Sequence, residues 1–164
     1  MSYFAAALAR TGAGWSGREF DLEQVDDLEA LGDQLRDFAD DGPGPCLLLL
    51  EEDDEYVAVV RVDGGALGLD DPRVFLSDRR AVQGSEVAAL LWEVDHDAEQ
   101  TDDDEGTRPV AEPVGDMTLL ADLGTSADDL LDLCAEEGLL PADVLTVLGE
   151  RAGFLDVLDA LREA

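Results

Sequence analysis

The sequence contains no lysine, no isoleucine and no asparagine, and only one histidine among its 164 residues. Ten arginines supply all of the permanent positive charge, whereas aspartate and glutamate together number 41, so the formal net charge is −31. Nucleic-acid binding depends on Lys and Arg side chains that neutralise phosphates, so we expect no direct binding to nucleic acid. The same repulsion argues against anionic membrane surfaces. A basic protein, or a cation, is the partner that this charge favours.

The missing residues have A/T-rich codons, so a GC-rich genome accounts for the absence of lysine. Codon bias does not require 41 acidic residues, however. A halophilic host is one alternative explanation, because a dense carboxylate surface keeps a protein soluble at high salt.

Cysteine and long apolar runs are also scarce. Cys46 and Cys134 each lie in an apolar stretch, which is typical of buried free thiols in a reducing cytoplasm. A metal pair would need further Cys or His nearby, so we expect no metal and no cofactor. No apolar block, including residues 46–50, approaches the ~20 residues of a membrane helix. The first residues lack the basic flank of a signal peptide, and we expect a cytoplasmic protein.

The first half of the chain has the patterns of β-strands. Residues 3–10 and 15–20 flank a glycine-rich turn and predict a hairpin. Residues 46–50 are apolar on both faces and predict a central strand. Residues 56–62 predict a further strand, with Val57 and Val59 on one face and Tyr56, Ala58 and Val60 on the other. Residues 73–76 predict a short fifth strand. Most connections are short, which favours a mainly antiparallel sheet.

Helical periodicity occurs in three regions. Apolar residues at steps of three and four predict one amphipathic helix over residues 22–38, capped by Asp21 with Gln24. A short helix is expected over residues 85–92. Three more are expected in the C-terminal segment, where Ser126 provides a cap and Pro141 suits a first helical position.

Residues 93–113 separate the two halves and contain nine acidic residues against one arginine. This composition is typical of a solvated linker. We therefore predict an α+β fold: a mainly antiparallel sheet of about five strands with one packed helix (residues 1–92), an acidic linker (93–115) and a helical C-terminal segment (116–164). About fifty residues in short helices bury little core, so we expect this segment to dock on the sheet or on a partner.

Catalytic constellations are not recognisable in the sequence. The only histidine, His96, lies in the acidic linker, and its surroundings do not match a calcium loop. A nucleophilic triad needs a histidine base near a strand end, and the glycine pairs lack the lysine of a phosphate loop. Paired carboxylates are so numerous that no pair stands out. We therefore expect that the protein is not an enzyme.

Three groups of charged residues are candidate binding residues. Two are acidic: the linker run Asp102, Asp103, Asp104 and Glu105, and a predicted turn formed by Glu51, Glu52, Asp53, Asp54 and Glu55. The third group consists of arginines that crowd into twenty residues, Arg61, Arg73, Arg79 and Arg80. These arginines either pair with nearby carboxylates, such as Asp63, Asp70, Asp71 and Asp78, or form a small recognition patch.

Several stretches carry a resemblance to a known family. They are the opening Ser2-Tyr3-Phe4-Ala5-Ala6, residues 48–56, residues 71–78 and the C-terminal Gly153-Phe154-Leu155. In these stretches the chain resembles the actinobacterial tRNA adenosine deaminase-associated proteins. The resemblance implies a partner, the deaminase, and supplies no activity and no functional residues.

The chain itself does not resemble the deaminase. A zinc nucleoside deaminase needs His-x-Glu and Pro-Cys-x-x-Cys segments, whereas His96 is followed by Asp-Ala and Cys46 by leucines. The leading hypothesis is a non-catalytic accessory protein that binds a basic, RNA-handling partner. A more specific version of this hypothesis is that the protein binds the partner by nucleic-acid mimicry. The alternative is a small-ligand binder or an enzyme whose site forms only in the fold, with acidity that reflects a halophilic host.

Overall fold

The computed structural model describes residues 3–11, 14–39, 44–52, 55–63, 72–79, 81, 85–91, 113–135 and 140–163. Six strands form one antiparallel sheet in the order β2-β1-β3-β4-β5-β6. The strands are β1 (Tyr3–Thr11), β2 (Gly14–Glu19), β3 (Pro45–Glu52), β4 (Tyr56–Asp63), β5 (Arg73–Leu76) and β6 (Val114–Gly115). The helices are α1 (Leu28–Ala39), α2 (Glu86–Leu91), α3 (Ala127–Ala135), α4 (Pro141–Ala152) and α5 (Leu155–Glu163).

The central strand β3 separates two hydrophobic clusters. Successive side chains of a strand point to opposite faces, so Leu48 and Leu50 enter the cluster beneath α1 and α2. Leu47 and Leu49 enter the cluster beneath α4 and α5. The sheet is therefore covered on both faces, and the two-sided apolar run at residues 46–50 predicted this central position correctly.

The first helical layer differs in one respect from the sequence prediction. The expected helix over residues 22–38 is broken: a single 3-10 turn (Leu22–Gln24) ends at Val25, which has extended backbone angles. The helix α1 begins only at Leu28, with the Asp27 carboxylate accepting the Ala30 N–H at 2.8 Å. The break buries Val25 against the sheet, and a continuous helix does not provide that geometry.

The C-terminal segment docks on the sheet rather than standing apart from it. Leu145 and Leu148 of α4 and Leu158 of α5 are buried in the second cluster. Ser126 Oγ caps α3 by accepting the Asp129 N–H at 3.1 Å, and Pro141 lies at the start of α4. Both local predictions are confirmed.

The predicted sheet of about five strands gains a sixth. The strand β6 pairs with β5 through only two residues. Gly115 has φ +104° and approaches the Val74 carbonyl so closely that a side chain would clash with it. The fold class is confirmed as α+β, and β6 belongs to the stretch that the sequence assigns to the acidic linker. In the described part of the chain no helix has the length and apolarity needed to cross a bilayer.

The predicted turn at residues 51–55 is shorter than expected. The antiparallel pairing of β3 with β4 continues through Glu51↔Val57 and Glu52↔Tyr56, so the first two glutamates are strand residues. Only Glu55 is described in the turn, where its N–H donates to the Glu52 carbonyl at 2.9 Å. Each glutamate side chain has a partner on its own face of the sheet.

Burial protects both thiols, and it leads to a first prediction. Both cysteines are free, Cys46 buried and Cys134 half-buried, and burial raises the pKa of each thiol to about 12. Because the thiolate is the reactive form, its fraction at pH 8 is roughly a thousandth of that of an ordinary thiol. We expect native protein to react very slowly with a chromogenic disulfide reagent, Cys46 more slowly than Cys134, and both to react at once in denaturant. An intramolecular disulfide in the mass spectrum of native protein would contradict this.

Candidate interaction surface

Arg61 on β4 joins the sheet to the C-terminal segment. Its Nη1 donates to the Leu119 carbonyl at 2.7 Å and to Asp122 Oδ1 at 2.6 Å, and its Nη2 donates to Asp122 Oδ2 at 2.9 Å. Arg61 is 6% exposed, so its charge is buried among groups that neutralise it. The bidentate pairing is the strong geometry of Arg with carboxylate, and it holds the pKa of the Asp122 carboxyl below its usual value.

Arg73 makes a second link to the same segment. Its Nη1 donates to Asp116 Oδ2 at 3.2 Å. Asp116 Oδ1 accepts from the Thr118 hydroxyl at 2.7 Å and from the Thr118 N–H at 2.9 Å. These bonds from Thr118, assisted by the Arg73 charge, lower the pKa of Asp116.

The arginine cluster of the sequence is therefore divided in the fold. Arg61 and Arg73 pair with Asp122 and Asp116, which lie far along the chain, whereas Asp70 and Asp71, two of the predicted partners, lie outside the described residues. Arg79 lies exposed in the turn after β5, and Arg80 lies outside the described residues. Two of the four side chains thus hold the C-terminal segment on the sheet.

Glu51 and Glu52 point to opposite faces of the sheet. Glu51 Oε2 lies 3.6 Å from Arg162 Nη2 on α5, with both side chains largely buried. Arg162 also donates to the Ala142 carbonyl and to the Thr146 hydroxyl of α4, each at 3.0 Å. Glu51 thus helps to tie α4 and α5 to β3.

Glu52 is the centre of a buried polar cluster. Its Oε1 accepts from the Tyr56 hydroxyl at 2.7 Å and from the Ser85 hydroxyl at 2.5 Å. Ser85 Oγ also accepts the Ala88 N–H at 3.1 Å and so caps α2. Glu52, Tyr56 and Ser85 are 5%, 2% and 9% exposed. The cluster fixes the start of α2 against the β3–β4 hairpin, a role that adjacent glutamates in the sequence did not indicate.

The exposed carboxylates lie on the outer surfaces of the two helical layers. In the first layer they occupy the polar positions between the apolar residues that face the sheet. Seven acidic residues are exposed there: Asp21, Glu23, Asp26, Asp27, Glu29, Asp33 and Asp37. These seven residues are not among the binding residues predicted from the sequence, although the amphipathic periodicity indicates that this face is polar.

A pocket of about 350 Å³ lies where β2 ends, lined by Tyr3, Ala5, Glu19, Phe20 and Asp21. It is open to solvent, and two of its five residues carry carboxylates. The Tyr3 hydroxyl accepts the Leu22 N–H at 3.0 Å at one side of it. Burial raises the pKa of Tyr3, and the negative charges of Asp21 and Glu23 raise it further.

Comparison with protein families identifies the family of this chain. A family model described as Rv3753c-like tRNA adenosine deaminase-associated protein matches residues 3–155. The chain belongs to this family. The match includes every strand and the helices α1 to α4, and it ends at the first residue of α5. It confirms the resemblance that the sequence suggested. Comparison with curated proteins and with solved structures found no match.

Membership of the deaminase-associated family supports association with tRNA adenosine deaminase and agrees with an accessory role. The candidate contact residues Asp53, Asp54 and the run Asp102 to Glu105 lie outside the described residues, so they stay predictions. Among the residues that are described, no three His, Cys, Asp or Glu side chains are grouped as a metal site requires.

The buried cluster yields a second prediction, with a matched control in the same chain. Ser85→Ala removes one donor to buried Glu52 together with the cap of α2, so we expect a loss of about 2–3 kcal/mol in the free energy of unfolding. Ser126→Ala removes an exposed cap of α3 alone and should cost about 1 kcal/mol. Urea unfolding of both variants measures the difference. Equal losses would show that the Ser85–Glu52 contact adds nothing to the cap.

The Arg61–Asp122 pair yields a third prediction, on pH. The folded pKa of Asp122 is lowered from 3.8, so the pair stabilises the fold fully above that value and loses its effect as pH falls through the folded pKa. We expect Asp122→Asn to be less stable than the unaltered protein at pH 7, and the difference to vanish at the acid end of a pH series. The exposed Asp132→Asn measures the background effect of removing one charge. A difference that persists unchanged to pH 2 would contradict the pairing.

Proposed function

We propose that this protein is a non-catalytic accessory protein that binds a tRNA adenosine deaminase in the cytoplasm. In the sharper form of the proposal, its carboxylates occupy the basic surface of the deaminase that otherwise holds tRNA phosphates. The observation that carries the proposal is the family match over residues 3–155. Its description names the deaminase as the associated protein.

The distribution of charge supports a basic protein as the partner. With a net charge of −31, the molecule repels phosphates and attracts a surface of Lys and Arg. Exposed carboxylates occur on the outer sides of both helical layers, for example at Glu29 and Asp37 of α1 and at Asp132 and Glu150 of the C-terminal layer. A partner therefore meets negative charge on either side of the sheet. Such complementarity increases the association rate and selects the partner.

The polar groups that are buried support a non-catalytic role. Glu52 accepts from two hydroxyls, and Arg61 is matched by a carboxylate and a carbonyl. Each group connects a helical layer to the sheet, and Asp116 does the same at the surface. These side chains are committed to structural contacts, so general acid or base chemistry is not assigned to them.

The fourth prediction is direct, salt-sensitive binding to the deaminase. Purified deaminase from the same organism should form a complex with this protein at low ionic strength, measured by calorimetry or by fluorescence anisotropy. The dissociation constant should rise at least tenfold between about 50 and 300 mM salt, because charge-steered association is screened. Absence of a complex at low salt would overturn the proposal.

Competition separates the mimic from a simple accessory protein. Added tRNA should displace this protein from the deaminase if both occupy one basic surface. If the complex persists in saturating tRNA, the accessory role still holds and the mimicry hypothesis is rejected.

Three matched sets of four neutralising substitutions locate the contact. One covers the linker: Asp102→Asn, Asp103→Asn, Asp104→Asn and Glu105→Gln. The second covers the first helical layer: Glu23→Gln, Asp26→Asn, Glu29→Gln and Asp37→Asn. The third covers the C-terminal layer: Asp128→Asn, Asp132→Asn, Glu150→Gln and Glu163→Gln. All remove the same charge, so a set that weakens binding more than the others identifies the contact surface. The single change Glu55→Gln tests the turn after β3.

A further inference from the structure

The strand β2 lies at one end of the sheet. It pairs with β1 on its inner side, and within the described residues no strand pairs with it on the outer side. Six consecutive residues, Gly14 to Glu19, face β1 in an unbroken one-to-one register. An edge of this kind presents unpaired backbone donors and acceptors to an incoming strand.

The register identifies the outward-facing backbone groups. The Phe20 N–H donates to the Ala5 carbonyl at 2.9 Å, so Phe20 faces β1. Backbone groups alternate along an antiparallel strand, and Ser16 and Arg18 therefore face β1 as well. The N–H and C=O groups of Trp15, Gly17 and Glu19 consequently point away from the sheet.

Both faces of β2 contact helices, although Ser16, Arg18 and Glu19 stay exposed. On one face the Trp15 ring meets Phe154 edge-on at 5.2 Å, and its Nε1 donates to the Ala152 carbonyl at 3.2 Å. A side chain at position 17 would lie 2.7 Å from Val157, so glycine there allows α5 to pack closely. On the other face the Arg18 guanidinium lies over the Phe38 ring at 5.1 Å. The strand is held firmly in a paired geometry.

Two of the usual protections of an edge strand are missing from β2. It contains no proline, and its pairing with β1 has no bulge. Natural edge strands commonly use proline, bulges or inward-pointing charges to prevent pairing with other chains. Charged side chains are limited to Arg18 and Glu19 at its C-terminal end, so the edge can accept another strand of suitable charge.

The surroundings of the edge select a basic strand. The pocket at the end of β2 is lined by two acidic residues, Glu19 and Asp21, and by two aromatic residues, Tyr3 and Phe20. Carboxylates next to aromatic faces are suited to an Arg or Lys side chain. Edge-to-edge pairing with a second copy is disfavoured, because each copy brings a charge of −31.

We propose that the β2 edge binds an extended basic segment of the partner as an added strand, with an Arg or Lys side chain in the pocket formed by Tyr3, Glu19, Phe20 and Asp21. Backbone hydrogen bonds to Trp15, Gly17 and Glu19 provide the affinity, and the pocket provides the selectivity, as in other strand-addition complexes. This inference rests on the proposed function and specifies the docking surface and the form of the partner chain.

Amide hydrogen exchange with a defined probe tests the edge. The probe is an end-blocked peptide of about seven alternating arginines and valines, a strand-sized length. Its control has proline in place of two central valines, with the same charge but no ability to form a ladder. We expect the amides of Trp15, Gly17 and Glu19 to exchange rapidly in the free protein and at least tenfold more slowly with the alternating peptide. Equal affinity for both peptides, no slowing at these three amides, or no binding at millimolar peptide would each overturn the proposal.

Substitutions at Glu19 separate the backbone contribution from the charge. Glu19→Pro removes an outward N–H, and the ladder to β1 stays intact, so the peptide affinity should fall at least tenfold. Glu19→Gln keeps the N–H, and its affinity for the peptide should fall only severalfold. Asp132→Asn, on α3, should bind as the unaltered protein does. Equal losses for proline and glutamine at position 19 would argue against strand addition. Should Glu19→Pro fail to fold, the exchange pattern of the unaltered protein decides.

The same amides, observed with the deaminase as ligand, distinguish the two proposals. Protection of Trp15, Gly17 and Glu19 in that complex supports both. A complex that leaves them unprotected retains the accessory function and overturns the edge. If the deaminase does not bind but the alternating peptide protects these amides, the proposed function fails and the edge is retained.

Discussion

Burial of β3 on both faces is the constraint on which the rest of the structure depends. Its residues Leu47 to Leu50 are all 0% exposed, so the sheet needs a covering layer on each side. Each layer is built from helices that offer one apolar face and leave the other to solvent. The carboxylates of these helices are consequently displaced to the outside of the molecule. One apolar strand thus accounts for the three layers and for the outward position of the carboxylates on the helices.

Hydrophobic packing alone does not fix where a helix lies on a sheet, because it is not directional. Buried polar contacts supply that direction here. Glu52 fixes the start of α2 on one face, and Arg61 fixes the segment before α3 on the other. Each is surrounded by partners that compensate its burial, since an unpaired charge there would be strongly destabilising. The two residues act as matching anchors on opposite sides of the sheet.

Periodicity predicted most of the secondary structure, because each strand and helix is patterned along its own few residues. The central position of β3, the hairpin of β1 with β2 and the caps of the C-terminal helices all follow from local sequence. Contacts between distant residues were not predictable in this way. Arg61 and Asp122 are 61 positions apart, and Ser85 lies 33 positions from Glu52.

Two further features depend on the assembled fold. The strand β6 consists of two residues held by the close approach of Gly115 to β5, too few for any periodic signal. A hairpin prediction also leaves undecided which of its strands pairs with β3, so the outer position of β2 could not be predicted. The exposed face of α1 follows from its periodicity, but its role does not, because exposed carboxylates also occur on the C-terminal layer, for example at Asp132 and Glu150.

The late position of α4 and α5 in the chain affects how the protein emerges from the ribosome. Leu47, Leu49, Val57, Val59 and Phe75 are synthesised well before the residues that cover them, such as Leu145, Phe154 and Leu158. During that interval the nascent sheet exposes an apolar surface on which other chains can aggregate. Acidic residues that have already been synthesised, including those of the first helical layer, repel other copies until α4 and α5 pack on this surface. We therefore expect the acidity of the chain to limit aggregation of the partly synthesised protein, independently of any partner.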